Sequence, residues 1–534
     1  MEVRLLRTLV ALPNWFPLGV FDFFHRLECL NILTKVSVSS VHSSLSTTKS
    51  STVDLVISDA TVYIPDGFVK TNIAIDQGKI VAMGSESSIP KGSRTIVATG
   101  KYVIPGLIDT HAHFRDPGFT HKEDYTTGTM AAAAGGITLA VDMPNVEPPP
   151  NTAERFTKHR ENAKSKAVVD FSHNAAGTVL SEIQKIAKAG PPLGYKIFMM
   201  TDVGRDYPHM PGIGVADHGE LLELFQEIRK TGIVCLVHPW DQEIWTKISN
   251  KAIKAGKTDW KEYAHGVREY DSIIFDNAIS VLINLQRVTG VKLHILHMSS
   301  KRSFDNIKEA RLHAQTITTE VNPHDVFLAN KWERIVKQGP YSIGWEIPEH
   351  EGDATWEALV DGTADLIGTD HAPHTKNEKE VGWENMWKAP GGTPALEWYL
   401  SMFLNEVNKG RIGFERVIQL CSENPAKIFQ IYPRKGAVQV GSDADLVIVD
   451  MKKEQVLSAD KMYTKCGWNP YSGRKVRGVP EITLVRGTVV SENFGNVVGK
   501  PGYGEYISPT LHPPTEEWDP AGRKPLKAPT IEYS

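Results

Sequence analysis

Short hydrophobic runs alternate along this chain with segments whose apolar positions recur at helical spacing. The runs are typical of buried strands. Segments 218–230, 275–289 and 414–420 place their apolar residues on one helix face. Strand–helix alternation from 105 to 436 predicts a parallel sheet covered by helices, and its length favours an α/β fold of the (βα)8 barrel type. A doubly wound sheet is the alternative, but its glycine-rich nucleotide fingerprint is missing.

The regions before and after this alternation have a different pattern. Residues 53–104 and 437–495 contain short strand-like runs separated by turn residues, which predicts two all-β segments flanking a domain at 105–436. The segment 496–534 is rich in proline, and we expect it to wrap the surface or to be disordered.

Residues 1–52 do not match a simple targeting signal. Pro13 and Pro17 interrupt the apolar stretch that a secretory signal requires. A transit peptide is an alternative, but Glu2 and Asp22 are unusual in one. We therefore interpret 1–52 as an extension without a packed role, as a leader, or as the product of a wrongly assigned start.

Composition narrows the class of protein. The 59 basic and 63 acidic residues among 534 are well mixed and leave a net charge of −4, so no nucleic-acid or anionic-membrane surface is predicted. No run reaches the roughly 18 apolar residues of a membrane span. The four cysteines, Cys29, Cys235, Cys421 and Cys466, form no CxxC pair, which favours a reducing compartment such as the cytoplasm.

Candidate chemistry begins at His111-Ala-His113, directly after the apolar run 102–109. In an extended strand, residues two apart point the same way, so the two imidazoles can bind one metal ion. Alone, this pair also fits a structural role. Four further polar residues follow in order, each in or at the end of its own apolar run: Lys196, His238, His297 and Asp370. The carboxyl ends of barrel strands carry the chemistry of such folds, so the set predicts one site.

As an ordered set, these motifs resemble the amidohydrolase superfamily and, within it, the cyclic amidohydrolases: dihydroorotases, allantoinases and hydantoinases. The resemblance covers roughly residues 53–495 and is strongest to dihydroorotase-like members. It implies that the segments 53–104 and 437–495 pair into one small β-sandwich beside the barrel. It also implies a homodimer or homotetramer acting on a small cyclic amide.

The resemblance implies a binuclear centre of divalent ions. Histidine and carboxylate ligands suit Zn²⁺ or a similar metal. One ion would be held by the HxH pair and the aspartate, the other by the two later histidines, with a carboxylated lysine as the bridge: His111, His113, Asp370, His238, His297 and Lys196.

Two of these assignments have alternatives. An ammonium group has no lone pair for a metal, so the bridging role requires carboxylation of Lys196; otherwise it is a surface lysine beside a strand. His294 competes with His297 as a ligand, but the two are three residues apart and face opposite ways on a strand. We assign His297, at the end of its run, and expect His294 to pack behind the site.

The implied reaction opens a ring amide by attack of a metal-bound hydroxide. Two metals sharing a water would lower its pKa to near 7, as bound zinc does. Asp370 is the candidate catalytic residue, which would take the proton and pass it to the leaving ring nitrogen. The alternative for Asp370 is a helix cap before Ala372-Pro373.

Three residues bear on the substrate: Arg115, Asn145 and His374. In dihydroorotases, residues of these types at the matching positions bind the substrate carboxylate, and an arginine fork suits that group. Hydantoinases usually lack the arginine. The alternative for Arg115 is a salt bridge with Asp116 or Glu123.

The competing hypotheses differ in substrate or in activity. An allantoinase or a hydantoinase would keep the binuclear mechanism and change the ring. The chain also departs from the usual substrate-contacting segment at 343–350, so its pocket could be rebuilt around Trp240 and Trp345. A non-catalytic scaffold homologue is the remote alternative, because all six metal-site positions are kept.

Overall fold

Two sheets organise the described part of the chain. The computed structural model describes residues 52–201, 212–267, 269–328, 332–342 and 349–511. The strands in this part are β1 (Val53–Ile64), β2 (Gly67–Asp76), β3 (Lys79–Gly84), β4 (Gly92–Val97), β5 (Tyr102–Pro105), β6 (Leu107–Ala112), β7 (Ile137–Asp142), β8 (Asp170–Ala176), β9 (Gly194–Phe198), β10 (Val234–His238), β11 (Leu293–Ile295), β12 (Ile317–Val321), β13 (Leu366–Ile367), β14 (Leu446–Val456), β15 (Lys475–Val485), β16 (Thr488–Glu492) and β17 (Asn496–Val497).

Strands β6 to β13 form an eight-stranded sheet in chain order, with parallel pairing throughout. The two edges of this sheet meet. A parallel bridge joins Ala112 at the end of β6 to His371 just after β13, and His113 N donates to His371 O at 2.8 Å. The predicted (βα)8 barrel is therefore confirmed.

Helices follow the strands around this barrel. They are α1 (Tyr125–Ala134), α2 (Ala153–Lys164), α3 (Ile183–Ala189), α4 (His218–Arg229), α5 (Gln242–Lys254), α6 (Trp260–Val267), α7 (Glu269–Thr289), α8 (Lys301–Leu312), α9 (Pro323–Phe327), α10 (Trp332–Gln338), α11 (Glu349–Asp361), α12 (Lys376–Glu380), α13 (Tyr399–Asn408), α14 (Phe414–Ile418) and α15 (Asn424–Ile428). In α4 the buried face carries Leu221, Leu224, Phe225 and Ile228, the spacing from which the sequence predicts a helix.

The second sheet combines both ends of the described region. Its strands run in the order β17-β16-β15-β14-β5-β1-β2-β3, with β4 paired to β1. The join is antiparallel between β5 and β14, where Val103 pairs with Ile448. Ile57, Val62 and Leu484 belong to the buried cluster of this domain. The predicted composite β-sandwich is thus confirmed, while the boundaries proposed for each domain stay predictions.

Part of the C-terminal segment packs against the barrel. Phe171 N donates to Glu505 O at 3.0 Å, and Ile507 N donates to Phe171 O at 2.8 Å. Ser172 Oγ donates to Ile507 O at 2.7 Å. Residues 499–511 therefore cover the start of β8, whereas the rest of the proline-rich tail, like residues 1–51 and 343–348, lies outside the described residues.

Within the described ranges, no helix combines the length and the hydropathy needed to cross a bilayer. Cys235, Cys421 and Cys466 are buried free thiols, and Cys29 lies outside the described residues.

Candidate active site

The polar residues singled out in the sequence converge at the carboxyl ends of the barrel strands. His111 is in β6, Lys196 in β9 and His238 ends β10. His297 follows β11, and Asp370 follows β13. Neighbouring strands keep their ends level, since Lys196 pairs with Leu236 and His238 with Phe198.

The first group joins opposite edges of the barrel. Nε2 of His111 and Nε2 of His113 each lie 3.1 Å from Oδ1 of Asp370. One ligand atom from each of these three residues lies within 4.8 Å of the others, a grouping that can hold a metal ion. The two histidines and the aspartate assigned to one ion are therefore together.

The second group is a pair of imidazoles in contact. His297 Nε2 lies 2.7 Å from His238 Nδ1. The ring of His297 is also 5.8 Å from the ring of His111, centroid to centroid, so the two groups adjoin. Two ring nitrogens aimed at one point are a donor set that suits a divalent cation.

Lys196 is completely buried. Its Nζ has no hydrogen-bond partner among the described residues and lies 4.3 Å from the centre of the Phe198 ring. Burial lowers the pKa of Lys196 to about 7, although the carboxylates of Asp370 and Glu320 oppose the shift. The alternative of a surface lysine is therefore wrong, and the amine is available in its neutral form.

Two of the metal-site histidines, His113 and His297, are held in the neutral form. Burial lowers the pKa of His113 to about 3 and holds that of His297 well below its ordinary value. For His111, burial is outweighed by Asp370 and Glu320, which raise its pKa to about 9. Neutral imidazole is the form that binds metals, and a carboxylate facing a ligating histidine is a common partner.

Glu320, on β12, is a site residue that the sequence reasoning missed. Its Oε1 lies 2.7 Å from His111 Nδ1, so it orients the imidazole whose other nitrogen faces Asp370. His294 lies behind it, with Nε2 3.8 Å from Glu320 Oε2 and Nδ1 2.8 Å from Thr318 Oγ1. The available signal was an acidic residue within the strand-prone run Ile317–Val321, which is rich in β-branched residues.

Asp109 anchors the segment that carries Asp370. It accepts hydrogen bonds from Thr369 N at 2.9 Å and Thr369 Oγ1 at 2.6 Å. Asp370 itself has a φ of 43°, a left-handed conformation that costs a non-glycine residue about 1 kcal/mol or more. The buried Asp109–Thr369 contacts help to hold this conformation.

The three predicted substrate residues, Arg115, Asn145 and His374, are buried. Arg115 Nη2 lies 3.3 Å from His374 Nε2, and Arg115 has a φ of 60°. Asn145 Oδ1 is buried and has no hydrogen-bond partner in the described part of the chain. These contacts bring Arg115 and His374 together.

The carboxylates suggested as alternative partners of Arg115 are engaged elsewhere. Asp116 Oδ2 accepts from Lys166 Nζ at 2.7 Å, and Glu123 Oε2 lies 3.3 Å from His371 Nε2. The helix-cap alternative for Asp370 also fails, because Thr375 caps the following helix, α12.

Aromatic residues follow the second histidine group. The ring of Trp240 lies 6.1 Å from that of His238 and 5.3 Å from that of Phe275. Asp241, which directly follows Trp240, caps α5 by accepting from Ile244 N at 2.9 Å. Trp345 lies outside the described residues.

The sequence profile of the amidohydrolase family matches residues 102–490, from the last sandwich strand before the barrel to the strands after it. The chain belongs to the amidohydrolase family. Its relatives include an L-hydantoinase of Paenarthrobacter aurescens, 34% identical over 85% of this chain and 98% of the relative. A dihydroorotase of Methanosarcina acetivorans is 31% identical over 85% and 95%.

The fold of this amidohydrolase has solved counterparts. The L-hydantoinase (dihydropyrimidinase) from Arthrobacter aurescens superposes with a TM-score of 0.80, at 33% identity, over 85% of this chain and all of that chain. The prediction of a cyclic amidohydrolase is confirmed by these relatives, which are enzymes and therefore do not support the alternative of a non-catalytic scaffold.

Proposed function

We propose that this amidohydrolase opens a cyclic amide that carries a carboxylate, as dihydroorotate does. The observation that carries this proposal is the buried guanidinium of Arg115 next to His374, on the same strand-end surface as the metal-binding groups. A buried arginine pairs best with an anion, and its fork fits both oxygens of a carboxylate. Asn145 Oδ1 adds a buried acceptor for a ring N–H.

The donor set supports two divalent ions, with zinc as the proposed metal. His111, His113 and Asp370 would hold one, and His238 and His297 the other. Lys196, as its carbamate, would bridge them, which gives its buried Nζ a role. When bound, the ions polarise the ring carbonyl and activate water.

Asp370 is the proposed acid and base of the reaction. Its side chain is about one-quarter exposed while its histidine neighbours are buried, so it faces the open end of the barrel. It would take a proton from the attacking water and deliver it to the ring nitrogen as the amide bond breaks. Glu320 and Asp109 would keep His111 and Asp370 oriented for this transfer.

An uncharged hydantoin or dihydropyrimidine ring is the second candidate substrate. It is favoured by the likeness to an L-hydantoinase in both sequence and fold. Trp240, beside His238, also offers an apolar ring face that needs no charge on the substrate.

Metal analysis combined with substrate assays tests the proposal. We expect about two metal ions per chain and turnover of dihydroorotate in preference to allantoin, hydantoin and dihydrouracil. Arg115→Met should raise the KM for dihydroorotate about 100-fold or more, since it removes a buried charge-assisted pair. Turnover of uncharged rings alone would refute the carboxylate-bearing substrate and support the second candidate. A metal-free, inactive protein would refute both.

We propose a homodimer or homotetramer and a cytoplasmic location. The location is supported by the buried free thiols of Cys235, Cys421 and Cys466, which suit a reducing compartment. Light scattering of the purified chain tests the assembly, and a fluorescent fusion tests the location.

A further inference from the structure

Lys122 lies next to the proposed carboxylate site, although neither the sequence motifs nor the proposed reaction uses it. The residue is buried, with 6% of its surface exposed. Its Nζ lies 3.2 Å from His374 Nδ1 and 2.8 Å from Glu378 Oε1. The ammonium group therefore stands between a carboxylate and the ring of a proposed substrate residue.

A cationic donor faces each nitrogen of the His374 ring. Lys122 faces Nδ1, and Arg115 Nη2 faces Nε2 at 3.3 Å. A neutral imidazole accepts at only one nitrogen and carries its proton on the other. His374 is neutral in this setting, because burial and then the charges of Arg115 and Lys122 hold its pKa well below the ordinary value.

The contacts around Nδ1 favour it as the accepting nitrogen. A proton on Nδ1 would point at the ammonium of Lys122, and Glu378 Oε2, at 4.0 Å, is too distant to accept it. With Lys122 donating to Nδ1, the proton lies on Nε2, on the side of Arg115. His374 and Arg115 then present two N–H donors to one point, which an anionic oxygen can fill.

The surrounding contacts fix this arrangement. Glu378, which binds Lys122, accepts from Thr375 N at 2.8 Å in the first turn of α12. Trp468 Nε1 donates to the carbonyl of His374 at 2.7 Å. Both partners of the Lys122 ammonium are thereby held in place.

We propose that Lys122 is a positioning residue, which sets the tautomer of His374 so that Nε2–H and Arg115 together bind the substrate carboxylate. The identity of that anion rests on the proposed function. Lys122 itself, paired with Glu378, acts through His374 and touches no reacting atom. Its loss should therefore weaken binding of the charged substrate without changing the chemical step.

The test compares dihydroorotate with its methyl ester, which keeps the ring and removes the charge, on the metal-loaded enzyme. Lys122→Met should raise the KM for dihydroorotate about 10- to 100-fold, the effect of one charge-assisted hydrogen bond, with little change in kcat or in the KM for the ester. Lys122→Arg, which keeps a donor, should restore most of the loss. Lys158→Met, at an exposed ion pair on α2, is the matched control and should behave as wild type.

The wild type and the variants test different claims. A wild type that does not hydrolyse dihydroorotate overturns the proposed substrate. A wild type that does, together with Lys122→Met of unchanged KM, overturns the role of Lys122 alone. Equal losses on the acid and the ester would show a merely structural role and also overturn it. If Lys122→Met does not fold, Lys122→Gln, which keeps a polar group for Glu378, gives the same comparison.

Discussion

At the scale of single residues, the site contains side chains and backbone conformations that cost folding free energy. Lys196 has a fully buried amine whose Nζ has no hydrogen-bond partner among the described residues, and Arg115 and Asp370 have left-handed backbones. Such features persist only where the surrounding structure enforces them. Because they are concentrated at the strand ends, we infer that these residues are retained there for function and not for stability.

Replacement of Lys196 by methionine separates stability from metal binding. Methionine has a similar volume and removes a polar group that is buried without a partner, so the metal-free variant should unfold at the same temperature as metal-free wild type or higher. Its metal content should fall from about two ions per chain to one or fewer. Differential scanning calorimetry and elemental analysis check the two parts, and a variant that retained both ions would refute the bridging role.

Glu320 gives a second prediction at this scale. Glu320→Gln keeps the shape but removes the negative charge 2.7 Å from His111 Nδ1. Loss of such a partner lowers metal affinity about 10- to 100-fold, which titration with a competing chelator measures. Glu309→Gln, which removes the exposed partner of His313, is the control, and equal affinities in the two variants would contradict the prediction.

The sequence predicted the candidate metal ligands better than the residues that orient the site, Glu320 and Lys122. Lys196 and His297 stood out because a polar residue at the end of an apolar run is unusual. Glu320 and Lys122 did not, because an acid inside a strand and a lysine in a loop are common on protein surfaces. Their roles depend on contacts with His111 and His374, more than 200 residues away, which local pattern does not contain.

At the scale of elements, a buried polar network joins two strands and two helices beside the site. The hydroxyl of Tyr125, on α1, lies 2.6 Å from Asp142 Oδ2 at the end of β7. It also lies 3.0 Å from His159 Nε2 on α2 and 3.2 Å from His173 Nδ1 on β8. Asp142 in turn accepts from Phe114 N at 2.8 Å, so the network supports the loop between the metal-binding histidines and Arg115.

Tyr125→Phe should therefore destabilise the fold by about 1–3 kcal/mol, because it removes the hydroxyl that joins this network and with it one of the donors to the buried Asp142. Urea denaturation of the metal-free protein measures this loss. The control is Tyr503→Phe, whose partly buried hydroxyl donates to Val485 O at 2.9 Å and whose removal should cost about 1 kcal/mol or less. Equal losses in the two variants would argue against the network.

Element types were easier to predict than element ends. The helix predicted at 275–289 begins at Glu269, and the strand runs near 53 and 482 extend to Val53–Ile64 and Lys475–Val485. Periodicity marks only the part of an element that faces a core. The edges of the sandwich strands are partly exposed and polar, so their ends are set by pairing with neighbours.

At the scale of the whole molecule, one buried ammonium links barrel and sandwich. Lys435 Nζ lies 2.6 Å from Asp170 Oδ2, at the start of the barrel strand β8. It also lies 3.0 Å from Asp443 and 2.5 Å from Asp445, which precede the sandwich strand β14. Three buried carboxylates thus share one cation where the two domains meet.

Lys435→Met should be strongly destabilising, by about 3–5 kcal/mol, since it removes the buried cation paired with all three carboxylates and leaves the buried Asp445 without its ion-pair partner. Thermal and urea unfolding at neutral pH measure it. Lys79→Met removes a half-exposed partner of Asp443, and solvent screening should limit its effect to about 1 kcal/mol or less. Should Lys435→Met prove as stable as Lys79→Met, the cluster would not be what holds the domains together.

The barrel closes between β6 and the segment after β13, and the residues that meet there, His113 and Asp370, are 257 positions apart. A metal ion bound by both residues would crosslink the first and last strands of the barrel. A chain still being synthesised cannot form this binding group until Asp370 has been made and β13 has joined the sheet. Metal capture would thus mark the moment at which the ring of strands is complete, and the captured ion would in turn resist its reopening.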